Sequence, residues 1–537
     1  MIGCLKSFIE KYMFCILLLL VVVYFFVLGS LKNGLFVDEI FSFGHANSSV
    51  GAFLGTNIDS HFVDENKELH GKWLDSEIFK KYLTVQEGEE WNFSQIIENV
   101  KKDVHPPFYL MILHTVSSLF PNMINKQIGL SLNLFFLICL VGVFYRFQIY
   151  YLKDKWKAFF VTLGFMFLPV VIELASFIRM YELFLLLNVI LLYLSVKVIE
   201  KTDVSFKIWG GIFGVMMIAL LTHFYQLVYG FFLTTGVMTV LFVDKRYGDS
   251  FKFGLVMLLG VIGAVAVFPH AIDMLLYSDR GEDSLSGFLG FDLEMCFFRI
   301  DYFLKQFFRA SFGNSCLGHW GILGIIVGVF VWYAKEFGKE RLVDKKRILM
   351  LWVAIMGCFV ISIVAPDMRK FSGRYYAVAT LFLFVGLFPM LIDLFSKNKV
   401  RKIVGGVVFV LFVARNVFLG LNNPYLLLDN DVDKFEDFVK DRRVVSLVGY
   451  KEVLFSFEML KGFMKADEVY KLSLGEFNEV DEFLKSDELK RGDVVIAYAG
   501  MGKSVGNKKT LERKKYRLRY KDLVFVGMKS YEIYERY

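Results

Sequence analysis

The sequence predicts a polytopic α-helical membrane protein of about eleven transmembrane helices, with surface helices on its outer side and a small C-terminal soluble α/β domain. Three observations lead there. Of the 537 residues, 56% are hydrophobic and 17% aromatic, and the mean hydropathy of +0.50 is above what soluble domains carry. Long, charge-poor apolar runs recur along the first 420 residues. The short basic loops between those runs all fall on one side of a membrane, provided one ambiguous segment does not cross it.

The runs occupy 13–31, 127–150, 158–177, 180–199, 208–223, 224–243, 253–270, 317–334, 348–365, 375–396 and 403–420. The first lacks internal charge, follows Lys6 and Lys11, and is too long for the core of a cleaved signal. The ambiguous segment is "DVHPPFYLMILHTVSSLFP", 103–121. If it crossed, the basic clusters at 153–157, 197–207, 245–252, 335–347 and 397–402 would all face outward. Only about fourteen apolar residues follow its prolines, a length suited to a surface helix. Pro106 and Pro107 suit a helix start, where no N–H donor is needed. His114, Ser117 and Ser118 share one face of that helix, with Phe108, Met111, Ile112, Thr115 and Leu119 on the other. The N-terminus is then cytoplasmic, and the C-terminal part lies outside a plasma (inner) membrane.

Two long loops face outward on this count. The first, 32–104, is acidic, and 105–121 follows it as the juxtamembrane helix. The second, 271–316, contains "FFRIDYFLKQFFRASF" (297–312), which alternates basic and polar residues against phenylalanines as an amphipathic surface helix does. The polar stretch "SDRGEDSLSG" precedes it. The six cysteines show no CxxC or Cys/His spacing, which argues against structural zinc. Cys296 and Cys316 are the pair whose loop position would permit a disulfide.

The sequence divides into 1–420, the membrane unit, and 421–537, the soluble one. In the latter, "VVSLVGY" (444–450), "EVYKLS" (468–473) and "DVVIAYAG" (493–500) read as strands. Helical patterns separate them, and a closing β pair spans 522–536, so a partly parallel sheet is expected. No phosphate loop or catalytic motif appears there. It reads as a docking or stabilising module.

The unusual polar residues gather on the outer side. "LFVDEIFS" puts Asp38 and Glu39 just past span one; Asp103 and His105 head the surface helix. "ASFIRMYELF" puts Arg179 and Tyr181 in a tight outer turn, "LTHFYQ" puts His223 in the next, and "PDMRKFSGRYY" puts Arg369, Lys370, Arg374 and Tyr375 in another. Each has an ordinary structural reading: a snorkelling arginine, a capping histidine, a solvated acidic loop. Together, acids and arginines at a lipid–water boundary suit one chemistry. A carboxylate accepts a proton from an attacking hydroxyl, while arginine holds a phosphate and stabilises it as a leaving group.

"VDEIFS", "DVHPPFYL", "IRMYEL", "THFYQ" and "GRYY", in that order, resemble the GT-C glycosyltransferases of the protein O-mannosyltransferase and aminoarabinose-transferase group, glycosyltransferase family 39-like. The resemblance covers about 10–420 in layout and leaves the tail aside. It implies transfer of a sugar from a polyprenyl-phosphate donor to a protein, lipid or glycan acceptor on the outer face. Carried over, Asp38 is the catalytic carboxylate and Glu39 its partner. Arg179, Lys370 and Arg374 grip the donor phosphate. Asp103, His105, Tyr181 and Tyr375 shape the site, and His223 meets the acceptor or a metal. Some relatives use a divalent metal ion, so that cofactor stays open. Membrane lipids are the remaining partner, and no nucleic acid is expected. The competing readings are a multi-pass transporter or flippase and a non-catalytic membrane scaffold. Span interiors nearly free of charge and the absence of repeated halves weigh against transport.

Overall fold

The computed structural model describes residues 2–52, 72–101, 103–278, 281–282, 286, 293–313, 318–338, 344–364, 373–426, 432–448, 460–473, 483–484, 486–498, 516–525 and 529–537. Lys370, Arg369 and Cys316, and with Cys316 the candidate disulfide to Cys296, lie outside them.

Helix α1 (Ile2–Leu31) leads into the short α2 (Val37–Asn47). Then come strand β1 (Trp73–Asp75), α3 (Glu77–Leu83), α4 (Phe93–Val100) and α5 (Phe108–Ser117). The membrane bundle continues as α6 (Lys126–Leu152), α7 (Lys155–Met166), α8 (Pro169–Ser176), α9 (Tyr181–Glu200), α10 (Phe206–Thr222), α11 (Gln226–Val243) and α12 (Tyr247–Val267). After α13 (His270–Tyr277) and α14 (Leu293–Phe312) come α15 (Gly318–Phe337), α16 (Lys345–Val364), α17 (Ala377–Ser396) and α18 (Lys399–Gly420).

Among the described residues, nine helices are long and apolar enough to cross a bilayer. The other two expected spans take a different form. The run 158–177 is not one helix: α7 and α8 meet at a 59° bend. Pro169 opens α8, and extended Leu168 before it breaks the ladder. The run 208–223 forms the 17-residue α10. Helix α5 has ten residues, half the length of a span. It buries Tyr109, Leu113, His114 and Ser117 against the protein. The expected polar face therefore points inward, leaving Leu119 exposed beyond the helix end.

Helix α1 buries Met13, Leu17, Val21 and Leu28 while Leu19, Val23 and Phe26 stay exposed. Helix α18 leaves Val400, Ile403, Val407, Val410, Leu411 and Phe418 exposed. Apolar faces of this extent are stable in lipid and not in water. At one end of the bundle, ion pairs stitch the basic loops together: Lys157 to Asp393 (2.6 Å), Lys346 to Glu200 (2.7 Å), Arg401 to Glu336 (2.9 Å), and Lys345 to Asp244. Helices α2 to α5 and the sheet lie at the other end.

Short helices α19 (Val432–Val439) and α20 (Leu460–Phe463) accompany strands β2 (Val444–Val448), β3 (Glu468–Ser473), β4 (Val494–Tyr498), β5 (Tyr516–Phe525) and β6 (Lys529–Arg536). The sheet order is β1-β3-β2-β4-β6-β5. Strand β2 runs parallel to β3 and β4; the other pairs are antiparallel. Residues 421–537 therefore do not supply the whole sheet, because β1 comes from the first loop and pairs Leu74 with Val469. Alternation divides the sheet's side chains between two cores. Val444, Val469, Val494 and Ile533 join the bundle's core, while Val445, Tyr470, Val495 and Tyr534 form a separate one. Phe79 of α3 meets Phe463 of α20, so loop and tail are packed as one unit.

Candidate active site

Helix α2 begins six residues after α1 ends. A helix turns about 100° per residue, so the adjacent acids Asp38 and Glu39 point in different directions. The Glu39 side chain is wholly buried, whereas that of Asp38 keeps 24% exposure.

Three donors converge on Glu39: Lys32 Nζ (2.9 Å), the Ile178 N–H (2.8 Å) and the Phe36 N–H (2.6 Å). Burial pushes the Glu39 carboxyl up and the Lys32 ammonium down, and each partner opposes the other's shift. Lys32 also donates to the Tyr425 carbonyl. Glu39 thus ties α2 to the α8–α9 turn, and its acceptor positions are occupied by protein. Its surroundings are those of a structural acid, not of a group open to a reactant.

Asp38 faces a cation. Its Oδ2 lies 2.8 Å from Arg374 Nη1. Burial alone raises the Asp38 carboxyl; Arg374 first, then Arg179, overcome this and hold it below the usual carboxylate range. Arg179, 7% exposed, donates to the Asp38 carbonyl (3.0 Å) and to Ser42 Oγ (3.2 Å). Its Nη2 meets His105 Nε2 at 3.2 Å. Arginine has only donors, so Nε2 accepts and the ring hydrogen sits on Nδ1. That nitrogen lies 2.7 Å from Asp103 Oδ2. Burial raises the Asp103 carboxyl, and His105, His45 and Arg179 more than offset it, leaving it well below the usual range. A chain of contacts therefore runs from His45 and Asp103 through His105 and Arg179 to Asp38 and Arg374.

The guanidinium of Arg374, in the 3₁₀ turn Gly373–Tyr376 that opens α17, is walled by rings. Phe177, Tyr181 and Tyr375 lie 4.9, 5.3 and 5.3 Å from it by ring centroid. His223 caps α10 and accepts the Tyr225 N–H at Nδ1 (3.1 Å). Its ring packs on Phe184 (5.1 Å) and Tyr181 (5.3 Å), so it stands behind the ring that faces Arg374.

Asp38, Asp103, His105, Arg179, Arg374, Tyr181, Tyr375 and His223 thus meet at one end of the bundle. Four contributors carried no usable sequence signal. Lys32 reads as a snorkelling span end. Ser42 and His45 lie one and two turns beyond Asp38 on the same helix, a spacing that any amphipathic helix shows. Tyr425 follows the last span in a segment without a motif.

A divalent ion needs oxygen or imidazole donors free to converge on it. The described residues contain no group of three His, Cys, Asp or Glu side chains so arranged. Asp38, Glu39 and Asp103 each already face Arg374, Lys32 or His105. The donor set as placed does not fit a resident cation.

No family model matches the sequence, and no curated protein matches it in sequence. Among solved structures, the chain is similar to ArnT from Cupriavidus metallidurans in the apo state, with a TM-score of 0.50, 11% identity and 97% of each chain covered. It is also similar to ArnT from the same organism bound to undecaprenyl phosphate, with a TM-score of 0.49, 11% identity and 97% of each chain covered. The likeness to the apo structure is one of fold: the polytopic, GT-C-like bundle with a C-terminal domain.

Proposed function

We propose that this protein transfers a sugar from a polyprenyl-phosphate donor to a hydroxyl of a protein, lipid or glycan acceptor, at the extracytoplasmic face of the plasma membrane. The observation that carries the reading is the 2.8 Å contact between Asp38 and Arg374. It sets one carboxylate against one guanidinium among aromatic rings at the end of a lipid-facing bundle. The shared GT-C-like fold supports the same reading.

The chemistry follows from charge. A donor phosphate competes with Asp38 for Arg374, which offers a planar fork of N–H groups. As the guanidinium turns to the phosphate, Asp38 loses part of its counter-charge and gains basicity. The acceptor oxygen attacks the anomeric carbon, its proton passes to Asp38, and the bond from carbon to phosphate oxygen breaks. Polyprenyl phosphate leaves with the bonding pair, its charge held by Arg374 with Arg179 close by. Lys370, four residues before Arg374 in sequence, belongs to the same phosphate grip. Glu39 positions the Arg179 turn. Asp103 and His105 orient Arg179; Tyr181, Tyr375 and His223 form the wall against which donor or acceptor packs. Residues 1–420 are the catalytic unit, and 421–537 supply most of an extracytoplasmic sheet domain.

The test uses the full chain in lipid nanodiscs with labelled polyprenyl-phosphate sugars and cell-envelope acceptor fractions. Label moving to acceptor, with polyprenyl phosphate released, supports the reading. No transfer from any such donor, with substrate uptake into sealed proteoliposomes, overturns it in favour of transport.

A further inference from the structure

Beyond the residues assigned so far, we propose that Tyr425, in the segment following the last span, is a positioning residue of the active centre that holds Arg374 in register for the donor phosphate. The inference rests on the phosphate role proposed above for Arg374.

Residues Pro424–Leu426 form a 3₁₀ turn immediately after α18. The turn folds back onto the link between α1 and α2. The Asn33 N–H donates to the Leu426 carbonyl (2.6 Å), and Lys32 Nζ donates to the Tyr425 carbonyl. Asn423 Oδ1 accepts the Tyr425 N–H (3.0 Å), and Asn423 Nδ2 reaches the Ile172 carbonyl of α8 (3.4 Å). None of these bonds uses the Tyr425 side chain. They fix the backbone whatever residue stands there.

The side chain points into the site and is 6% exposed. Its ring stacks on Phe177, centroids 4.1 Å apart at 21°, and meets the edge of Phe36 at 5.3 Å and 90°. Phe177 in turn lies under the Arg374 guanidinium at 4.9 Å. The Tyr425 hydroxyl is 3.5 Å from Arg374 Nη1, the nitrogen that meets Asp38. At that length the hydroxyl contact is weak, so the ring does most of the positioning. Phe36, Phe177 and Tyr425 make a continuous aromatic floor. It limits where the guanidinium swings when it exchanges Asp38 for a phosphate. Orientation of a binding group is worth large factors because a displacement of about 1 Å costs up to about 10²-fold.

The experiment compares Tyr425→Ala and Tyr425→Phe in the full chain, in nanodiscs, with two readouts. One is binding of undecaprenyl phosphate, which needs no sugar transfer. The other is the donor KM against kcat in the transfer assay. We expect Tyr425→Ala to weaken phosphate binding and raise donor KM at least about tenfold, with acceptor KM within about twofold. Tyr425→Phe keeps the floor and stays within about threefold of the parent in both readouts. A purely structural role would lower kcat through lost folded protein and leave KM and binding alone. That result overturns the proposal, as does a Tyr425→Phe variant as impaired as Tyr425→Ala. If the parent binds the polyprenyl phosphate but transfers nothing, the transferase reading fails while the binding arm still decides on Tyr425.

Discussion

Replacing Asp38 with asparagine separates charge from shape. Asparagine can still accept one hydrogen bond from Arg374 Nη1, now 2.8 Å from Asp38 Oδ2, so the geometry survives while the charge and the proposed base disappear. Two energies decide the outcome. Breaking a buried ion pair by removing one partner costs about 3–5 kcal/mol. Here the Asp38 side chain is 24% exposed. Three rings within 4.9 to 5.3 Å also keep the guanidinium company, so we take about 1–3 kcal/mol. The catalytic loss is larger in its effect: a positioned general base contributes about 10²–10⁴ in rate. Donor binding moves the other way, because the phosphate no longer competes with a carboxylate for Arg374. The expected signature is kcat down by about 10²–10⁴ with donor KM unchanged or lower. It is measured on folded protein, with thermal unfolding followed in parallel. A kcat within about threefold of the parent refutes the assignment, and a raised donor KM with normal kcat moves Asp38 from catalysis to binding. The pH profile tests the same idea. With Asp38 held low in the free enzyme, the acid limb of kcat/KM falls below about pH 4. In the donor complex Arg374 is shared, so the acid limb of kcat lies higher; coincident limbs contradict the exchange of Arg374 between partners.

Arg374→Ala removes a charge-assisted contact worth about 1.5–3 kcal/mol, so donor KM rises about 10- to 150-fold while acceptor KM holds; an unchanged donor KM in steady-state kinetics disposes of the phosphate role. Asp103→Asn lets His105 Nδ1 accept from the new amide, which moves the ring hydrogen to Nε2 and sets it against Arg179 Nη2, now 3.2 Å away. We expect kcat/KM to fall at least about tenfold. The same variant has a pH signature in stability. The folded carboxyl of Asp103 lies well below its usual value, so on acidification the unfolded chain binds the proton first. Its contribution is full above about pH 4 and is lost as pH falls through the folded value, so the gap in thermal stability between parent and variant narrows below about pH 4. A gap constant from neutral pH to pH ~3 would count against that sign. Gly129→Ala places a Cβ 2.2 Å from Ile178 Cγ2, beside the turn that carries Arg179. Overpacking of this kind costs about 1–3 kcal/mol; an alanine variant of full stability and activity would show that the turn gives way freely.

Hydropathy and charge alone gave the span pattern, because the cost of placing a polar group in lipid is set locally, residue by residue. The same rule kept 103–121 out of the span count, and α5 is indeed only ten residues long. The motif residues around Asp38, Arg179 and Arg374 were equally legible, since acids and arginines at helix ends stand out against an apolar background. Tertiary structure decided what each of them meets. Asp38 and Glu39 are adjacent acids of similar chemistry, yet one helical step puts the first before Arg374 and buries the second against Lys32 and the Ile178 N–H. Pro169 is visible in the sequence and marks the break, but the 59° angle between α7 and α8 is not. Strand β1 finds its partner about four hundred positions away, pairing Leu74 with Val469, and three residues are too few to announce a strand. Tyr425 reaches Arg374 only because the chain folds back after α18. Local sequence fixes what a segment prefers against its solvent; which side chains then meet depends on contacts between distant segments, and no run of neighbouring residues encodes them.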